Sequence, residues 1–130
     1  MSSESRARVD AQIRERLPKL ASESRDRLIE TTVDFLRLCA AEPGQRFAPA
    51  PLVDEVFHTM VLDTRPYRDL CGRLGVDFID HEPVLPGEAA PTSVAATVER
   101  MKHHGFFREE VADLWPVSAA AKCCGSCAQP

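Results

Sequence analysis

No apolar run in this 130-residue chain approaches the ~20 residues that a membrane-spanning helix needs. Residues 1–8 are polar and lack the apolar h-region of a secretory signal. There is no basic excess either. Sixteen Lys and Arg stand against twenty Asp and Glu, a net charge of −4, and the bases are scattered among acids. That removes the electrostatic footprint of a duplex-binding protein. These absences lead to the expectation of a cytoplasmic protein with neither a membrane nor a nucleic acid as partner. No internal repeat is present, which excludes a solenoid. A paired disulfide framework is missing too. The five cysteines are an odd number, Cys39 and Cys71 sit inside amphipathic patterns, and Cys123, Cys124 and Cys127 crowd the end. Reduced or metal-bound thiols suit that distribution better than secreted cross-links.

The apolar share, 44%, is ordinary for a globular chain, and the length supports one domain around a single core. Helical spacing dominates it. Val9, Ile13 and Leu17 recur every four residues over 6–17, until Pro18. Leu28, Thr32, Phe35, Leu36 and Cys39 line one stripe over 24–41, closed by Pro43-Gly44. Residues 52–62 come after Pro51 and are apolar on more than one side, through Val53, Val56, Phe57, Met60 and Val61, as in a central helix. A fourth helix spans 65–74, with Thr64 as its cap and Gly75 as a left-handed stop. Residues 76–79 read as a short strand or extended chain, and 84–91 as a loop. Thr92 or Ser93 caps a helix to His104 that buries Val94, Val98 and Met101 before Gly105. A last short helix, 108–114, turns Val111 and Leu114 inward. The expected fold is all-α, a compact bundle of five to six helices over 1–116, with a short extended segment near 76–82 and a flexible cysteine tail over 117–130.

The stretch 52–83 gathers the residues with chemistry: Asp54, His58, Tyr67, Cys71 and His81. The leading reading is a metal centre, with His58 and His81 as core ligands and Cys71 and Asp54 supporting them. Such a mixed donor set suits zinc, iron or copper. Tyr67 and Thr64 would orient the ligands by hydrogen bonds. Twelve residues separate His58 from Cys71 and nine separate Cys71 from His81, which matches no zinc-finger formula, so only the fold could assemble the site. An open coordination position would make a metal-dependent enzyme of a biosynthetic pathway conceivable. The alternative is a metal-free interaction module. There His58 bonds Asp54 or Tyr67, Cys71 is a small buried hydrophobe, His81 caps a loop and Thr64 caps a helix. A nucleophilic Cys71–His pair is a third option. Cys39 reads as core, and His103 and His104 as surface residues near a helix end.

Cys123, Cys124 and Cys127 form a separate candidate site, because three close thiols can clamp a soft ion or cycle to a disulfide. They could equally complete the central site, act as a carrier or precursor segment modified by partner enzymes, or be incidental.

One family likeness emerges. The segments Val53-Asp54-Glu55-Val56-Phe57-His58, Leu62-Asp63-Thr64-Arg65-Pro66-Tyr67, Leu70-Cys71 and His81-Glu82-Pro83 resemble the glycine-rich domain-containing protein-like family, in particular its small bacterial members. Asp54, His58, Thr64, Tyr67, Cys71, His81 and Pro83 match the motif. Phe57 replaces its Trp, Leu70 its Phe, and Asp80 the first of its two histidines. The likeness covers roughly residues 28–116 and implies a helical domain whose polar motif residues form a site. It implies no particular reaction.

Overall fold

The structure is a computed structural model that describes residues 1–117. Five α-helices are present, α1 (Ser3–Arg16), α2 (Ser22–Ala41), α3 (Pro51–Leu62), α4 (Thr64–Arg73) and α5 (Val94–His104), and a 3-10 helix, Glu109–Leu114, comes after them. No strand occurs among the described residues. No described helix is long and apolar enough to cross a membrane. The tail cysteines Cys123, Cys124 and Cys127, and the flexibility expected of 118–130, lie outside the described residues.

The central helix is α2, not α3. It packs against α1, α3, α5 and the 3-10 helix, while α3 meets α1, α2 and α4. Its buried surface is wider than the five-residue stripe, because Ile29, Thr31, Asp34 and Leu38 are buried beside Leu28, Phe35 and Leu36. Burying each such aliphatic side chain contributes about 1.5–3 kcal/mol. The polar members are satisfied in place. Thr32 donates to the Leu28 carbonyl, and Thr31 Oγ1 accepts the indole N–H of Trp115 at 2.9 Å. Asp34 accepts from Arg108 Nε at 2.9 Å. These last two bonds tie the chain around the 3-10 helix to α2, and Trp115 also stacks at a tilt on Phe35.

Helix α1 begins at Ser3, before its first apolar repeat, because Ser2 Oγ accepts from the Ser5 amide. Arg8 forks onto Asp63 with bonds of 2.8 and 3.1 Å, and Arg25 reaches Asp10 at 3.0 Å, so α1 is tied to the α3–α4 junction and to α2. Asp63 is also the residue before α4. Thr64 is therefore the first residue of that helix, exposed, and not its cap. Ser93 does cap α5, accepting from the Ala96 amide, and Gly105 closes it at φ +76°. Gly75, at φ +86°, turns the chain out of α4. Residues 76–91 then form a strap without helix or strand. It has no partner strand among the described residues, and side chains hold it to the rest of the fold.

Candidate functional site: a cleft under the 76–91 strap

Three polar side-chain contacts tie the strap to α4, α3 and the α2–α3 connection. Tyr67, buried on α4, donates its hydroxyl to the carbonyl of Ile79. His81 donates Nε2–H to Asp54 Oδ1 on α3 at 2.9 Å. Arg46, in the α2–α3 connection, pairs with Glu82 at 3.0 Å. Phe78 adds an edge-on contact with Tyr67, ring centroids 5.0 Å apart. An ionised carboxylate only accepts, so the Asp54 bond places the proton of a neutral His81 on Nε2. His81 Nδ1 has no hydrogen-bond partner among the described residues.

Held this way, the strap roofs a cavity of about 580 Å³. Phe35 and Cys39 of α2, Asp54 and Phe57 of α3, and Phe47 of the α2–α3 connection form its body. The strap supplies Phe78, Asp80, His81 and Glu82 to the wall. The size and the mix of an apolar body with a few polar groups are those of small-molecule clefts. The α2–α3 connection can wander here because Pro43-Gly44 ends α2 and Pro51 restarts the helix.

The metal centre expected from the sequence is not formed. Among the described residues, no three His, Cys, Asp or Glu side chains converge closely enough to hold an ion. Two of the four expected ligands do meet, since Asp54 and His81 bond each other. His58 comes near only by its ring, 5.3 Å from that of His81 and tilted by 56°, and its side chain makes no hydrogen bond among the described residues. Cys71 is fully buried on α4, beside the Tyr67 hydroxyl. Phe57 packs edge-on to His81 at 4.8 Å and against Tyr67 at 6.3 Å, so an aromatic ring joins the two groups. His58 bonds neither Asp54 nor Tyr67, although Asp54 shares its helix face. Asp54 takes His81 instead.

Electrostatics give the cleft a quiet thiol at Cys39. Burial pushes the Cys39 thiol up to about 12, so it is a neutral wall group at physiological pH. Burial and the neighbouring Cys71 raise Tyr67 well above the usual phenol range, which keeps its hydroxyl a donor. His104, expected at the surface, is half-buried and donates to Glu42 at 2.8 Å, while His103 is exposed.

Two groups escaped the sequence reading. Arg46 and Phe47 lie in a proline-rich connection with no periodicity to mark them, and only the strap's position gives them a role. Neither a family model, nor a curated protein, nor a solved structure matches the chain. The likeness to the glycine-rich domain-containing protein-like family therefore rests on its motif residues alone.

Proposed function

We propose that this domain is a binding module for a small organic molecule, which enters the cleft between α2, α3 and the strap. One observation carries the reading: a cavity of about 580 Å³ with four phenylalanines in its lining and a bonded Asp54–His81 pair in its wall. Apolar burial would supply affinity, and the wall's acceptors would orient the ligand. Membership of the glycine-rich domain-containing protein-like family belongs to the same proposal. It is supported by the way the motif residues Asp54, His58, Tyr67 and His81 are linked through Phe57 and the two imidazole rings.

The test is a screen of small aromatic and aliphatic compounds against the isotope-labelled protein by amide correlation spectra. Binders are expected to shift Cys39, Phe47, Phe57 and His81 together. Ala90 lines the mouth from an exposed position, so Ala90→Trp is expected to abolish those shifts without lowering the melting temperature. Shifts scattered over the surface, or unchanged in Ala90→Trp, would overturn the reading.

A further inference from the structure

We infer that the cleft selects a protonated amine carried on an apolar body. The inference rests on the proposed binding function and adds the ligand's charge. Three carboxylates, Asp54, Asp80 and Glu82, line the cavity against one guanidinium, Arg46. Arg46 is taken by Glu82, at 3.0 Å. Asp54 is bonded to an imidazole that, when neutral, leaves its negative charge uncompensated. Asp80 is exposed on the strap and forms no hydrogen bond or ion pair among the described residues. With His81 neutral, Asp54 and Asp80 are therefore without a cationic partner among the described residues.

Hydrogen-bonding capacity is skewed the same way. A neutral His81 spends its one N–H on Asp54 and keeps a lone pair on Nδ1, so His81, Asp54 and Asp80 present acceptors. An ammonium brings three donors and one positive charge to that surplus. The apolar lining suits it as well, because an aromatic face attracts a cation within about 6 Å of its centroid. Phe47 and Phe78 are the less buried rings of the lining, and Arg68 already stands 6.0 Å from the Phe78 centroid, outside the cavity wall. A carboxylate ligand, by contrast, would face Asp54 and Asp80 with its only strong cation already paired.

Three probes of nearly equal shape separate the possibilities: phenethylamine, 2-phenylethanol and 3-phenylpropionate, each titrated into the full chain and monitored by amide shifts. Phenethylamine is expected to bind about tenfold more tightly than the alcohol, as one charge-assisted hydrogen bond would give. The propionate is expected not to bind. Asp80→Asn should shrink the amine's advantage several-fold and leave the alcohol unchanged; the exposed position makes the variant safe for folding. Equal binding of amine and alcohol, or tightest binding of the propionate, would overturn the charge selection while leaving the cleft a binding site. Failure of all three at millimolar concentration would overturn both.

Discussion

His81 and Asp54, twenty-seven positions apart, meet through a 2.9 Å bond that fastens the strap to helix α3. Both side chains are more than four-fifths shielded, at 16% and 19% exposure. The bond does for residues 76–91 what backbone pairing does for a strand, since among the described residues no ladder holds that segment.

Breaking this clasp is expected to loosen the strap before the fold. Asp54→Ala should cost about 1.5–3 kcal/mol, the range for a hydrogen bond to a charged group. Hydrogen exchange should rise mainly over residues 76–91, with α2 and α5 unchanged. A uniform rise across all helices would mean that the pair supports the core and not the strap.

Trp115 gives an independent check on the far side of α2. Thr31→Val keeps the shape but leaves the buried indole N–H without an acceptor. A loss of about 1–3 kcal/mol in urea unfolding is expected. The chain has one tryptophan, so its fluorescence reports the event directly.

The two cysteines within the described residues should resist alkylation in the folded protein. Cys71 is fully buried, and Cys39 combines partial burial with a thiol pushed up to about 12. Peptide mapping after iodoacetamide at about pH 8, where a free thiol is partly ionised, is expected to show neither labelled until urea is added. Rapid native labelling of Cys39 would show that the thiol is activated.

Acid is expected to weaken the fold through four carboxylates. Arg25 holds Asp10 below the usual carboxylate range, Arg8 does so for Asp63, Arg27 for Asp113, and His104 with Arg100 for Glu42. Each is lower in the folded chain than in the unfolded one. Their contribution is thus complete above the ordinary carboxylate values and disappears as pH falls through the depressed ones. The urea midpoint should hold above about pH 5 and decline below about pH 4. A midpoint constant down to about pH 2 would contradict these pairings.

The helices were legible because their burial obeys a 3.6-residue period. Val9 and Ile13, Leu28 and Phe35, and Val94, Val98 and Met101 all point to the core, and Ser93 and Gly105 bound α5 as their chemistry suggests. The central role of α2 was hidden, because it depends on burying Thr31 and Asp34, whose partners Trp115 and Arg108 lie more than seventy positions away. The start of α4 was misplaced by one residue for a related reason: Asp63 serves Arg8 and Gln12 of α1 with its carboxylate, a relation no local pattern carries.

At the site, residue types were legible and partnerships were not. Spacing of four put His58 with Asp54, yet a loop residue, His81, takes that carboxylate. Cys71 obeyed its helical period into the core, where it joins no cluster of three ligands among the described residues. A ligand set drawn from three separate segments, α3, α4 and the strap, depends on the loop path, which no periodicity specifies.

The most direct measurement is a long-range proton–nitrogen spectrum of the imidazoles in the labelled protein at about pH 8, above the range of a free imidazole. His81 is expected to hold the Nε2–H tautomer, with Nδ1 as the bare nitrogen, and to lose that preference in Asp54→Ala. Tautomer averaging like that of the exposed His103, unaffected by Asp54→Ala, would mean that the strap is not clasped and the cleft beneath it is not a formed site.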